Sequence, residues 1–226
     1  MAEFLTKIIP NVMSRQEMMW ESVLDTLIMV FGSGAISFVF GLILGVILVV
    51  TRKGDIMENH VVYSVLDKLI NVFRSIPFII MIGMLFPLTR LIAGTAIGVK
   101  GAIVPLVFGT VPFFSRQIES ALSEVDRGLI EAAQSMGSSP MEIIFRVYLK
   151  ESVPSIVRGT TITMVSLIGL TAMAGAVGAG GLGDFAIRFG YQRNQPDVTY
   201  TTVIIILVMI SIIQAISNII IRKTEH

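Results

Sequence analysis

The sequence predicts an all-α polytopic membrane protein whose chain crosses the bilayer five times. Its 226 residues are 54% hydrophobic and only 15% charged, whereas a soluble domain typically carries about 25% charged residues. Three segments without any charged residue each exceed the ~20 residues that a helix needs to cross the hydrocarbon core. They are residues 26–51, 159–183 and 198–221. A chain with this distribution of charge is too apolar for water.

The predicted transmembrane domain covers residues 23–221, after an external segment of residues 1–22 and before a cytoplasmic tail of residues 222–226. Its five predicted spans are residues 23–50, 62–89, 98–122, 156–177 and 198–221. The second and third contain at most 15 consecutive residues without charge, and each of these uncharged stretches carries two prolines. Prolines are tolerated in membrane helices where neighbours satisfy the freed backbone groups. Taken alone, each of these two segments could instead re-enter on the same side.

The placement of Lys and Arg predicts the orientation of the chain. With the region of residues 116–158, which contains the polar loop of residues 123–155, in the cytoplasm, eleven basic residues lie on the cytoplasmic side and six on the other. Cytoplasmic loops carry an excess of Lys and Arg in membrane proteins. The N-terminus is therefore expected outside and the C-terminus inside.

The polar loop contains the sequence EAAQSMGSSPMEIIFRVYLKESVP, residues 131–154, and is predicted to form two short helices. Asp126 can cap the first helix, and Gly137 can end it in a left-handed backbone conformation. Ser139 and Glu142 have the spacing of a capping box at the start of the second helix. The loop is thus a helical hairpin between two spans.

Two interpretations of this hairpin remain open from the residues alone. It could lie on the membrane surface as an ordinary amphipathic element. It could also dock on a partner, because Ala132 and Ala133 lack bulk and let another surface approach the backbone. In the second case we expect Ala133 to face the partner together with Leu129 and Ile130.

The hairpin resembles the cytoplasmic signature loop of binding-protein-dependent ABC importer permeases, through the pattern E-A-A-x-x-x-G of residues 131–137. In that family this loop forms a coupling helix that docks in a cleft of a separate ATPase subunit. The family pattern continues with I-x-L-P, where this chain has Val147-Tyr148-Leu149-Lys150. The resemblance implies an ATPase-coupling role for Glu131, Ala132, Ala133, Gly137, Ile143, Ile144 and Val147.

Several further stretches resemble the methionine importer permeases of this family. They are RSIPF (74–78), PLTRLIAGTAIG (87–98), AIVPL (102–106), AMAGAVGAGGLGD (172–184) and GYQR (190–193). The resemblance implies the type I ABC importer permease fold and a location in the prokaryotic plasma (inner) membrane. It also implies ATP-driven uptake of an amino acid, D- or L-methionine. The alternatives are a permease for another small polar solute and a stand-alone secondary carrier.

The sequence predicts neither enzyme activity nor a cofactor. It contains no cysteine, and His60 and His226 lack neighbours that could complete a metal site. Gly178-x-Gly180-x-x-Gly183 matches the spacing of a dinucleotide fingerprint but follows an apolar helix, whereas the fingerprint requires a preceding strand. Charged residues are missing from the span interiors, which argues against an ion-coupled carrier. No phosphate-binding loop of the P-loop type and no catalytic constellation is present, and nothing indicates nucleic acid as a partner.

One coupling loop per chain predicts a homodimer, because ABC ATPases act as pairs with two clefts. The expected partners are two ATPase subunits, a second copy of this chain, the lipid bilayer and an extracytoplasmic solute-binding protein. We expect the binding protein to dock on the loop after the fourth span, at Asp184, Arg188, Arg193 and Asp197. The fourth and fifth spans are expected to line the translocation path with Thr160, Met164, Ser166, Met173 and Gln214. For the methionines of these spans, apolar filler of a membrane helix is the preferred explanation over contact with a thioether substrate.

The first span also contains Gly41-x-x-x-Gly45, a spacing of small residues that lets two membrane helices approach closely. A contact within the chain and a contact between two copies are both compatible with this pattern.

Overall fold

A computed structural model describes residues 7–224 of the chain. Its helices are α1 (Pro10–Met13), α2 (Gln16–Thr51), α3 (His60–Ser75), α4 (Phe78–Met84), α5 (Phe86–Ala93), α6 (Gly98–Ser123), α7 (Arg127–Ser135), α8 (Pro140–Ile143), α9 (Leu149–Glu151), α10 (Val153–Ala176), α11 (Gly181–Phe185) and α12 (Pro196–Thr224). Two π-helical stretches, Ile144–Tyr148 and Ala186–Tyr191, follow α8 and α11. Every regular element in this described range is helical, which confirms the predicted fold class.

Four helices in the described part of the chain are long and apolar enough to cross a membrane. They are α2 with 36 residues, α6 with 26, α10 with 24 and α12 with 29. Because an α-helix rises 1.5 Å per residue, even the shortest is about 36 Å long and exceeds the hydrocarbon core of about 30 Å. These helices correspond to the predicted first, third, fourth and fifth spans.

The predicted second span, residues 62–89, is divided into α3, α4 and α5. The first break comes after Ser75, because Pro77 disfavours helical geometry in the residue before it. Ile76 accordingly has an extended backbone, with φ −81° and ψ 122°. The second break is at Leu85, where ψ is 0°, just before the Phe86-Pro87 pair that starts α5. A single unbroken helix therefore does not form over this segment.

One compact unit consists of residues 1–35, 77–108 and 164–213, described here from residue 7 on. Its main core is apolar and includes Met29, Val30, Phe78, Leu106, Leu167 and Ile168. A second, smaller cluster brings the short N-terminal helix together with the segment around α11 and the start of α12. That cluster contains Val12, Phe185, Phe189 and Val198.

The glycine-rich stretch of this unit packs closely against α2. Gly180 and Gly181 both have positive φ, +83° and +78°, a region that suits glycine because it has no Cβ. The Leu182 N–H then donates a hydrogen bond of 2.9 Å to the Thr26 hydroxyl. A Cβ on Gly181 would lie 2.8 Å from that same hydroxyl oxygen. These glycines therefore permit close packing of a loop on a helix, which agrees with rejecting the dinucleotide motif.

The other compact unit consists of residues 36–76, 109–163 and 214–226, described up to residue 224. Its core joins the ends of α2 and α6 to the hairpin that follows α6. The buried members are Val49, Val50, Phe114, Ile118, Leu122, Ile130, Ala133, Ile143, Ile144 and Tyr148. The hairpin is thus an integral part of this unit.

The Gly41-x-x-x-Gly45 pattern makes a contact within the chain, between α2 and α6. A Cβ on Gly41 would lie 2.6 Å from Phe114 Cδ1, and one on Gly45 would lie 2.5 Å from Ile118 Cβ and 2.8 Å from the Ser115 carbonyl oxygen. Such distances are far below van der Waals contact. The two glycines therefore set how closely α2 and α6 approach.

We predict that Gly45→Ala destabilises the protein, because the added methyl group meets a backbone oxygen and a β-branched carbon that cannot rotate away. Overpacking of this kind costs about 1–3 kcal/mol. Gly83→Ala is the matched control, since a Cβ there has no heavy atom within 4 Å. Thermal unfolding of both variants in detergent measures the difference. Equal melting temperatures for the two variants would contradict the predicted contact.

Candidate coupling surface

The first helix of the hairpin, α7, begins and ends with the predicted capping interactions. The Asp126 carboxylate accepts a hydrogen bond of 2.7 Å from the Gly128 N–H. At the other end Gly137 has φ +80°, and the N–H groups of Gly137 and Ser138 donate back into the last turn at 2.9 and 3.1 Å. This pair of bonds around a left-handed glycine is a Schellman motif. It ends α7 sharply and allows the chain to reverse.

The second half of the hairpin begins with the predicted capping box. The Ser139 N–H donates to the Glu142 carboxylate at 2.9 Å, and the Glu142 N–H donates to the Ser139 hydroxyl at 3.4 Å. The Ser139 hydroxyl also donates to this carboxylate at 2.9 Å, and the two hydrogen bonds donated by Ser139 hold the pKa of Glu142 below its ordinary value. After α8 the chain widens into the π-helical stretch Ile144–Tyr148, where the Leu149 N–H donates to the Ile144 carbonyl. No pattern in the sequence predicts this widening.

The inner face of the hairpin packs against its own protein. Ile130 and Ala133, three positions apart on α7, are only 8% and 6% exposed. Ile143 and Ile144 are buried in the same cluster, and Val147 packs against it. The expectation that Ala133 and Ile130 face a partner is therefore wrong for these side chains. Their small or apolar character serves the core of this unit.

The outer face of the hairpin is exposed and partly apolar. Of the residues proposed for coupling, Glu131, Ala132 and Gly137 lie on it. Four large apolar side chains outside the proposed coupling set are also exposed: Leu129 (48%), Met136 (79%), Met141 (57%) and Phe145 (62%). Of these, Leu129 was expected on the same side as Ala133. Exposed apolar patches of this kind mark surfaces that bind other molecules. In the sequence, these exposed side chains are indicated by apolar residues on two sides of the hairpin, because only one side can face the core.

The loop between α2 and α3 is attached to the hairpin. The Tyr148 hydroxyl donates a hydrogen bond of 2.7 Å to the Asp55 carboxylate. Tyr148 is 1% exposed, and the Asp55 side chain is 4% exposed. Burial, followed by the hydrogen bond and charge of Asp55, raises the pKa of Tyr148 well above its ordinary value. Tyr148 therefore stays protonated and remains a donor at physiological pH.

A polar cavity of about 100 Å³ lies between this loop and α7. Its lining residues are Gly54, Asp55, Ile56, Arg127, Ile130, Glu131, Gln134 and Tyr148. Glu131 lines this cavity and is also exposed on the outer face of the hairpin, so the cavity borders that face.

The residues proposed for the translocation path have different environments. Ser166 and Met173 are exposed on α10, and Gln214 is exposed on α12. Met164 instead packs against the core of its own unit, where its sulfur lies over Gly34. Thr160 is half-buried and donates a hydrogen bond to the Ile156 carbonyl at 2.8 Å. Three of the five proposed positions are thus open to a molecule outside the chain.

A cluster of arginines surrounds Phe189 and consists of Arg15, from between α1 and α2, and Arg188 and Arg193, from the segment after α10. Their guanidinium carbons lie 5.2, 5.4 and 5.0 Å from the centre of the Phe189 ring, within the range of cation–π attraction. None of these three guanidinium groups has a carboxylate within ion-pair distance among the described residues. Arg15 belongs to this group although no sequence pattern links it to Arg188 and Arg193.

The two acidic residues proposed for docking are less available than these arginines. The Asp197 carboxylate accepts hydrogen bonds from both the backbone N–H and the side-chain amide of Asn11, each at 3.0 Å. This pair of bonds ties α1 to the start of α12. Asp184 is half-buried on α11. Asp197 therefore has a role inside the chain.

Residues 37–226 match the family model described as the binding-protein-dependent transport system inner membrane component. The chain belongs to this family. The matched residues include the whole hairpin and both of the helices that flank it. The permease fold predicted from the sequence is thereby confirmed.

Individual relatives of this permease are similar over most of their length. The probable D-methionine transport system permease protein MetI of Vibrio cholerae is 46% identical over 202 residues, which cover 89% of this chain and 90% of that protein. The methionine import system permease protein MetP of Bacillus subtilis is 47% identical over 174 residues, 77% of this chain and 78% of that protein.

Solved structures agree with the fold of this permease. A chain from the inward-facing MetNI methionine ABC transporter superposes with a TM-score of 0.90 at 44% identity, and covers 93% of this chain and 99% of its own. A chain from an amino acid ABC transporter with histidines superposes with a TM-score of 0.78 at 14% identity. The second likeness shows the fold alone.

Proposed function

We propose that this permease imports methionine, in the D- or the L-form, together with an ATPase that supplies the energy. The observation that carries this proposal is the combination of 44% identity and near-complete coverage with a chain of the MetNI methionine ABC transporter. Two relatives with 46% and 47% identity also carry methionine transport in their names. Another small polar solute is the second candidate substrate.

Methionine uptake by the reconstituted transporter tests the substrate. The permease, its ATPase and its binding protein are placed in vesicles, and entry of radiolabelled L-methionine and D-methionine is measured with and without ATP. We expect ATP-dependent uptake that unlabelled methionine suppresses and that unlabelled alanine or histidine does not. Uptake that another amino acid suppresses equally well would assign a different substrate.

The proposed translocation path lies along the exposed side of α10 and on α12. Ser166, Met173 and Gln214 support this assignment, because they are exposed on helices that are long enough to cross the membrane. A second copy of the chain would enclose the path from the other side in a dimer with two-fold symmetry. In this arrangement the N-terminus is outside the cell and the C-terminus lies in the cytoplasm with the hairpin.

The proposed ATPase contact is the outer face of the hairpin. Ala132 and Glu131 belong to the family pattern, and the exposed side chains Leu129 and Met136 flank them on α7. The capping motifs at both ends support the assignment, because they fix the hairpin in one shape before any partner binds. Ala133, Ile143 and Ile144 act from the inner face by holding that shape.

We predict that tryptophan at two neighbouring alanines of α7 affects different properties, ATPase binding at Ala132 and stability at Ala133. Ala132→Trp adds bulk on the exposed face, so the permease should fold with an unchanged melting temperature but lose copurification with the ATPase. Ala133→Trp adds the same bulk where the side chain is only 6% exposed, so it should lower stability by about 1–3 kcal/mol through overpacking. An Ala132→Trp permease that still binds its ATPase would show that the outer face is not the contact.

The proposed docking surface for the solute-binding protein is the arginine cluster around Phe189. Three guanidinium groups without a carboxylate partner among the described residues would attract acidic side chains, and polar contacts are typical of the rim of transient interfaces. Arg188 and Arg193 are exposed. Asp184 and Asp197 then contribute by supporting the segment, Asp197 through Asn11.

We predict that Arg188→Glu/Arg193→Glu weakens binding-protein docking and uptake while the basal ATPase activity of the complex stays at the level of the parent. Arg90→Glu/Lys100→Glu is the matched control, because it reverses two exposed charges outside the cluster. Binding of labelled solute-binding protein to complexes in nanodiscs gives the affinity directly. Parent-like affinity and uptake in the Arg188/Arg193 variant would remove the cluster from the docking surface.

A further inference from the structure

The loop between α2 and α3, residues 52–59, has a defined shape that continues the end of α2. The Met57 N–H donates to the Val50 carbonyl and the Asn59 N–H to the Thr51 carbonyl, each at 2.9 Å. The Gly54 N–H donates to the Glu58 carboxylate at 2.9 Å. These bonds fold the loop back onto the last turn of α2. A displacement of the loop therefore also displaces the end of this helix.

The hairpin holds this loop through one directional contact between nearly inaccessible groups. Tyr148 and Asp55 are 93 residues apart in the chain, and their hydrogen bond measures 2.7 Å. A hydrogen bond to an ionised carboxylate is stronger than one between neutral groups. Asp55 also receives a weaker ion pair from Arg52 at 3.4 Å, and Arg52 contacts the Ser123 hydroxyl at 3.2 Å.

Chain connectivity alone attaches the hairpin to only two of the long helices, since α6 precedes it and α10 follows it. The apolar contacts of Val49 and Val50 with the hairpin core bring α2 into the same unit. Apolar packing is non-directional, so it does not by itself fix α2 to a particular residue of the hairpin. The Tyr148–Asp55 hydrogen bond supplies that fixed point.

We propose that the Tyr148–Asp55 hydrogen bond transmits movement of the coupling hairpin to α2, so that three long helices follow the ATPase. This inference rests on the proposed function of the hairpin. Tyr148 and Asp55 act as positioning residues, because both side chains are almost fully buried within the chain. Their contribution lies in the coupling between ATP hydrolysis and uptake.

The test measures the number of solute molecules imported per ATP hydrolysed in the complete transporter. Tyr148→Phe removes the hydroxyl and keeps the ring, and Asp55→Ala removes the acceptor. We expect each variant to copurify with the ATPase and to lower the ratio about fivefold, the lower end of typical coupling between sites. Asp55→Asn retains an acceptor oxygen for Tyr148 without the charge, so it should lower the ratio less than Asp55→Ala does.

A double variant and a control separate this role from a general loss of stability. If the pair acts as one unit, Tyr148→Phe/Asp55→Ala lowers the ratio no further than either single change. Ser217→Ala is the control, because it breaks the 2.5 Å hydrogen bond from Thr161, which joins α10 to α12 in the same unit. It should leave the ratio unchanged even if the melting temperature falls.

A distance measurement follows the movement itself. Because the chain contains no cysteine, spin labels can be placed at Lys53→Cys in the loop and Ser135→Cys at the end of α7, both exposed positions. In dimers with one labelled chain, the distance should stay constant between the nucleotide-free and ATP-bound states. In the Tyr148→Phe background it should change or broaden on ATP binding.

Two results would overturn the inference. One is a Tyr148→Phe transporter with the import ratio and the label distances of the parent. The other is an additive loss in the double variant, which would show that the two residues act separately. Failure of the proposed ATPase contact is a separate outcome. It would be seen as ATPase binding by the Ala132→Trp permease, independently of the result for Tyr148→Phe.

Discussion

Packing of the inner face of the hairpin against the ends of α2 and α6 is the constraint on which the proposed coupling surface depends. That packing buries Ile130, Ala133, Ile143 and Ile144 in the core. The outer face then remains exposed, while the inner face holds the hairpin in the same core as the ends of both helices. The proposed coupling role requires a hairpin that keeps its shape, and its apolar residues belong to the same close-packed core as the ends of α2 and α6.

Local interactions made much of the hairpin predictable from the sequence. The caps at Asp126, Gly137 and Ser139 each join residues no more than five positions apart, so the sequence contains both partners in a short window. The break of the predicted second span likewise follows from Pro77. The all-α fold and the long helices were predictable because the membrane admits few structures that satisfy every backbone group.

Contacts between distant residues were not predictable in this way. The apolar stripe of α7 indicates that one side is buried, but it does not distinguish burial in the protein's own core from burial under a partner. That ambiguity led to the wrong face for Ala133. The bonds of Tyr148 to Asp55 and of Asn11 to Asp197 join residues 93 and 186 positions apart. No local pattern pairs such residues.

The π-helical stretch before α9 also affects how the lengths of related sequences should be compared. Its Leu149 N–H bonds five residues back to the Ile144 carbonyl rather than four, so this turn contains one residue more than an α-helical turn. Deletion of a single residue here would convert the π-helical turn into a regular α-helical turn. Each remaining position after the deletion would keep its place on the helix, whereas Tyr148 would lose the widened turn that contains it. A one-residue gap in an alignment of this segment therefore indicates replacement of the π-helical turn by an α-helical turn, and not a change in the length of a loop.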